Sequence, residues 1–294
     1  MKKNSSSRIV SQKTHSSNFL DGSVPISVNI PITGKCNYRC RFCFAESYLL
    51  DDSRILESPK VLADAGTQKI SFEGGEPFLY PKLGELLKIS KEVGLVTSVI
   101  SNGSLITKEI LTKLSQHLDW LTLSIDSPDE GIELKLGRGF GGHVKQVRKV
   151  VGWAHDLGVK LKLNVVVTKL NINDDLSDIL LELQPERVKL LQVLPIEGVN
   201  ASKIKDLLIT EEEFMSFVER HLHLKDKGIS LIHETNDDMT GSYIMVLPDG
   251  RLFNNNDHRY QYSKYTIFDD IEKALEEVKW NVGKFEKRGG LYAW

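Results

Sequence analysis

No apolar run in the 294-residue chain approaches the roughly 18 residues that cross a bilayer, so no membrane span is expected. Net charge is almost absent: 38 Lys and Arg stand against 40 Asp and Glu. That balance excludes direct attachment to nucleic acid by bulk positive charge. The first 18 residues are rich in Lys, Ser and Thr but have no apolar centre, so they do not make a secretory signal. Residues 1–23 read as a disordered leader. Cysteine is scarce. There are three, all between positions 36 and 43, an odd and crowded set that argues against a disulfide framework. A metal or redox role in the reducing cytoplasm is the expectation.

What is present is a rhythm. Short apolar strands are expected at 26–33, 68–73, 96–101, 120–126, 159–167 and 187–195, with helical patterns between them at 81–94, 108–117, 144–157 and 174–183. Connections of that length imply parallel crossovers wound right-handedly. Six such units fit an open sheet or a partial (β/α)6 barrel, placed at 24–205. After it the rhythm changes. A helix is expected at 210–226, then a hairpin whose arms flank Pro248-Asp249-Gly250, so 206–294 reads as a C-terminal extension ending in a basic, glycine-containing tail.

Residues two apart on a strand share a face. Val159, Leu161, Leu163, Val165 and Val167 alternate with Lys160, Lys162 and Asn164; Leu121 and Leu123 alternate with Thr122 and Ser124. Ile70 and Phe72 oppose Lys69, Ser71 and Glu73. Val28, Ile30 and Ile32 oppose Ser27, Asn29 and Thr33, and Arg187 shares a face with Lys189. Parallel strands buried on both sides read as continuous apolar runs; these do not. One face is polar and partly cationic, which suits either an open sheet with a wet face or, better, a wide barrel enclosing a polar, positively charged cavity.

Cys36, Cys40 and Cys43 form C-x3-C-x2-C directly after the first strand. Three thiolates on one loop converge on a soft metal centre. Zinc with a borrowed fourth ligand is one reading; an iron–sulfur cluster with one iron left open is the other. Gly74-Gly75-Glu76-Pro77 ends the second strand and Gly137-Arg138-Gly139 follows the fourth. His221 and His223 are two apart in a helical pattern, face different ways and make a poor metal pair.

The cysteine spacing resembles that of the radical S-adenosylmethionine enzymes, whose fold is a partial (β/α)6 barrel. Residues 36–44, Lys69 with 74–78, 101–106, 137–139, 196–198 and 287–290 together resemble the viperin-like members of that group, over about 27–294. The resemblance implies a [4Fe-4S] cluster on Cys36, Cys40 and Cys43. It implies S-adenosylmethionine held by Phe42, Gly74, Gly75, Glu76, Ser124 and Arg138, with Glu76 offering its carboxylate to an ammonium and Arg138 binding a carboxylate. It implies a nucleoside triphosphate held by Asn29, Lys69, Lys162, Arg187 and Lys189, to which strand parity adds Asn164 on the same face, and a hydrogen- or proton-donating role for Tyr243. The reaction implied is dehydration of a ribonucleoside triphosphate to its 3′-deoxy-3′,4′-didehydro form, an antiviral chain terminator, with reduced flavodoxin or ferredoxin as electron donor. The chain lacks the long amphipathic N-terminal helix that anchors the animal members to membranes, which implies a soluble prokaryotic member. Another radical reaction, such as nucleotide cyclisation or peptide modification, and a non-catalytic protein stapled by its cluster are the rivals.

Overall fold

In the computed structural model the described residues are 24–46, 50–292 and 294; the leader expected at 1–23 lies outside them. Strands β1 (Ser27–Thr33), β2 (Lys69–Gly74), β3 (Val96–Ser101), β4 (Trp120–Ser124), β5 (Lys160–Val167) and β6 (Arg187–Gln192) pair in parallel in sequence order. The crossovers carry α1 (Asp52–Ala65), α2 (Leu83–Glu92), α3 (Lys108–Leu114), α4 (Glu130–Leu136), α5 (His143–Asp156) and α6 (Ser177–Leu183). After α7 (Glu211–His221) a seventh strand, β7 (Ser230–Glu234), joins β6 in parallel. It was not expected from the sequence. The hairpin is formed by β8 (Met245–Val246) and β9 (Arg251–Asn254), with β10 (Gln261–Thr266) beside β9. Because β8 pairs with β1, the strands on both sides of residue 205 belong to one ten-stranded sheet, ordered β10-β9-β8-β1-β2-β3-β4-β5-β6-β7. Helices α8 (Asn236–Met239), α9 (Ile271–Val278) and α10 (Val282–Lys287) complete the C-terminal part.

The two strand faces have different fates. Val28, Ile30, Ile70, Phe72, Leu121, Leu123, Leu161, Leu163, Val188 and Leu190 are fully buried against the helices, in one continuous core. From the helices come Leu62, Leu86, Leu111, Val147, Val150, Leu180 and Phe214. The acids at the start of α7 stand where a helix N-terminus favours negative charge, and Thr210 closes a capping box with Glu213.

The opposite face is curled inward. Between β2 and β6 lie four inter-strand spacings, about 19 Å if the sheet were flat. Yet the Tyr292 ring lies 3.8 Å from the Arg187 guanidinium of β6 while its hydroxyl meets the Lys69 ammonium of β2. Likewise Tyr243, just before β8, accepts a hydrogen bond from Lys189 of β6 at 3.0 Å. The sheet is an incomplete barrel closed across its mouth by side chains of the C-terminal part.

Candidate active site

Alternate residues of β1 to β6 line a cavity of about 710 Å³, well within the range for small-molecule sites. Cys36, Cys40, Phe42, Cys43, Gly74, Gly75, Ser124 and Arg138 line it, and so do Asn29, Lys69, Lys162, Asn164, Arg187, Lys189 and Tyr243. The expected residues converge, with one exception.

The cysteine loop is fastened by backbone. Gly75 N donates to Thr33 O at 2.7 Å, Glu76 N to Lys35 O at 2.8 Å, and Arg41 N to Leu136 O at 2.9 Å. A Cβ on Gly75 would strike the Lys35 carbonyl, and one on Gly137, at φ +82°, the Arg39 carbonyl. Only glycine lets these segments lie against the loop. Donors then aim at the sulfurs: Tyr38 N at Cys36 Sγ and Ala45 N at Cys43 Sγ, both 3.4 Å, and Arg138 Nη1 at Cys40 Sγ, 3.6 Å. Such donors suit thiolates, although burial raises both the Cys36 and Cys40 thiols, Cys40 to about 11 against the pull of Arg138. Among the described residues no three His, Cys, Asp or Glu side chains stand close enough for a single metal ion. Three thiols on one cavity wall, each met by a hydrogen-bond donor, fit the thiolate ligands of an iron–sulfur cluster.

Two of the side chains expected to bind cofactor are already engaged by protein partners. Glu76 does not line the cavity. Its carboxylate is fully buried, Oε1 accepting from Ser101 Oγ at 2.7 Å and Phe78 N at 3.1 Å, Oε2 from Asn102 N at 2.8 Å. It ties the ends of β2 and β3 together, and its burial raises its pKa. Arg138 does line the cavity, but its fork is taken by Asp126, Nε to Oδ2 at 2.5 Å and Nη2 to Oδ1 at 3.4 Å. Its remaining nitrogen faces Cys40. Both side chains therefore shape the cysteine loop's surroundings.

The cationic part is crowded. Lys162 and Arg187 are register partners, as are Asn164 and Lys189, and like charges side by side on a sheet destabilise it. Burial first, then the neighbouring cations, depress Lys69 to about 7 and hold Lys162 well below its ordinary range. Lys189 falls to about 8, mostly through burial, with Glu234 pulling the other way. Burial alone would raise the Glu234 carboxyl; Lys189 and Arg288 together hold it at about 2. Glu234 of β7, unanticipated, anchors this wall: Lys189 pairs with it, Arg288 Nη1 reaches Oε1 at 3.2 Å, and the Tyr243 hydroxyl donates to Oε2 at 2.5 Å. The Arg288 guanidinium lies 3.6 Å from the Tyr243 ring centroid, and Arg187 Nη2 donates to Gly289 O at 2.6 Å. Arg288 and Tyr292 were missed because nothing in a tail's spacing says which strand it crosses. His221 is buried within α7, its Nδ1 2.8 Å from Phe217 O, with no part in the cavity.

A curled parallel β/α sheet with three thiols after β1 and glycine turns after β2 and α4 is the layout of a radical S-adenosylmethionine enzyme. Residues 30–183 match the family model described as the Radical SAM superfamily. The S-adenosylmethionine-dependent nucleotide dehydratase of Flammeovirga pacifica is 41% identical over 281 residues, covering 91% of this chain and 96% of that one. That of Thermoplasmatales archaeon (strain ISO4-H5) is 35% identical over 272 residues, with the same coverages of 91% and 96%. The crystal structure of Streptococcus suis SuiB bound to S-adenosylmethionine superposes with a TM-score of 0.65 at 21% identity, over 78% of this chain and 60% of that one; at that identity it speaks for the fold alone. The chain belongs to the viperin-like S-adenosylmethionine-dependent nucleotide dehydratases of the radical SAM superfamily. It is an enzyme of that class, using a [4Fe-4S] cluster and S-adenosylmethionine. No helix among the described residues is long and apolar enough to cross a membrane.

Proposed function

We propose that the cavity takes a ribonucleoside triphosphate, its phosphates against Lys69, Lys162, Arg187 and Lys189 and its ribose toward the cysteines, and that the product is the 3′-deoxy-3′,4′-didehydro nucleotide. One observation carries this reading. Lys162, pressed by Lys189, Lys69 and Arg187, makes no ion pair or hydrogen bond among the described residues. Cationic side chains gathered in a shielded cavity, where Glu234 pairs with Lys189 and Arg288 but no carboxylate among the described residues pairs with Lys162 or Lys69, are stabilised by a polyanion. Asn164 Oδ1 and Arg187 Nε are also buried without hydrogen-bond partners among the described residues, each at a cost of about 1–3 kcal/mol that a polar ligand removes. Asn29 contributes from β1, and Tyr243, held by Glu234, borders the site as a positioning group.

Cys36, Cys40 and Cys43 would hold the cluster, with Phe42, Gly74, Gly75 and Ser124 walling the space for S-adenosylmethionine. That cofactor, when bound, supplies the means of removing the ribose 4′ hydrogen. The chain's own work is to clamp the phosphates, orient the sugar and exclude water. Cys43 is exposed, so this end opens to a small electron carrier, reduced flavodoxin or ferredoxin. Three free thiols fit the reducing cytoplasm.

The test is anaerobic turnover with each of the four ribonucleoside triphosphates and the matching monophosphates. At least one triphosphate should lose the mass of one water, with its monophosphate a poor substrate. A monophosphate turned over as fast as its triphosphate would contradict the assignment of the cationic wall.

A further inference from the structure

A carboxyl group stands where a polyanion site should have none. Glu73 lines the cavity on β2, four residues beyond Lys69 and immediately before Gly74. Four residues of strand span about 13 Å, room for a triphosphate chain between Lys69 and the level of Glu73. Glu73 therefore sits at sugar height, between the phosphate wall and the glycines beside the cysteine loop. Asn29 Nδ2 donates to its Oε2 at 2.9 Å. Its Oε1 makes no hydrogen bond among the described residues.

The nearby hydroxyl is differently committed. The Tyr243 proton points to Glu234 Oε2 and its oxygen already accepts from Lys189. Resting on the triphosphate reading above, we propose that Glu73 is the acid that gives the ribose 3′ hydroxyl the proton with which it leaves as water. The O–H bond of Glu73 breaks and its proton joins the 3′ oxygen. The C3′–O bond then breaks with its electron pair going to oxygen. The sugar, already lacking the 4′ hydrogen atom, is left as a radical cation. One electron from a reduced flavodoxin- or ferredoxin-type carrier closes the C3′–C4′ double bond, and water reprotonates Glu73.

The surroundings fit an acid that works near neutrality. Burial raises the Glu73 carboxyl to about 7, with Asn29 and Lys162 opposing. From β1 it meets the uncharged Asn29, and on β3 the flanking cavity residues Ser98 and Ile100 carry no charge. Lys162 of β5 and Tyr243 are the ionisable groups that interact with it across the cavity. A positioned acid with a pKa near the working pH contributes about 100-fold or more.

Two measurements on the reconstituted enzyme test this. In equilibrium binding without reductant, the wild type should hold a ribonucleoside triphosphate about tenfold tighter than its 3′-deoxy analogue, and Glu73→Ala should erase that preference. In turnover, Glu73→Gln should keep triphosphate affinity within a few fold yet lose about 100-fold or more in dehydrated product. At saturating triphosphate the wild-type rate should fall as pH rises above about 7, and the Gln variant should lack that limb. Wild-type turnover and pH profile in Glu73→Gln would overturn the proposal while leaving the triphosphate reading intact. Loss of binding equal to the loss of turnover would also overturn it, making Glu73 a binding group. A wild-type enzyme that binds no triphosphate would overturn both.

Discussion

The triple variant C36A/C40A/C43A binds no iron–sulfur cluster and cleaves no S-adenosylmethionine, while its sheet remains folded. The wild type, reconstituted anaerobically, carries about four irons per chain. The fold survives because the loop is fastened by backbone contacts to Thr33, Lys35 and Leu136 that involve no sulfur, and because Cys→Ala removes little buried volume. Iron and sulfide analysis, circular dichroism and release of methionine check the three parts of this result. A variant that kept a reducible cluster, or a wild type that took up only zinc, would contradict the assignment of these thiols.

Lys162→Ala weakens triphosphate binding by about 30-fold to several thousand-fold, the equivalent of the roughly 2–5 kcal/mol typical for truncating a buried charge contact. Cluster content is unchanged, since Lys162 makes no hydrogen bond or ion pair to the cysteine loop. The pH dependence has a definite sign. Without ligand, Lys69 titrates near 7 and Lys189 near 8, both below the ordinary lysine value. A bound polyanion raises them, so binding takes up protons above about pH 7 and affinity falls as pH rises through that window. Calorimetry in two buffers of different ionisation enthalpy measures the uptake. Proton release on binding, or affinity rising with pH, would mean that these lysines do not meet the phosphates.

Strand parity made much of this legible in advance. Lys69, Lys162, Arg187 and Lys189 lie on the cavity face because their strand neighbours Ile70, Leu161, Leu163, Val188 and Leu190 are needed by the helices. A period of two shows directly in a sequence. Helix α1 is less legible than its neighbours because Pro59 lies inside it, and proline reads as a helix breaker. Strand β7 was overlooked because only five residues, Ser230–Glu234, mark it, and with it went Glu234. The networks around that carboxylate join positions 189, 234, 243 and 288, a convergence set by barrel curvature, which no local pattern encodes. Glu76 shows what a motif leaves unsaid: a buried carboxylate takes the nearest backbone and hydroxyl donors, here those of Ser101, Asn102 and Phe78, which lie up to 26 residues away in the sequence.

The central claim is that this cavity brings the ribose 4′ carbon of a triphosphate to the S-adenosylmethionine beside the cysteines. A triphosphate deuterated only at that carbon, turned over anaerobically, reports it in a single mass spectrum. One deuterium should appear in the 5′-deoxyadenosine released, and none in the dehydrated nucleotide. Deuterium retained in the nucleotide product, with unlabelled 5′-deoxyadenosine, would contradict the account.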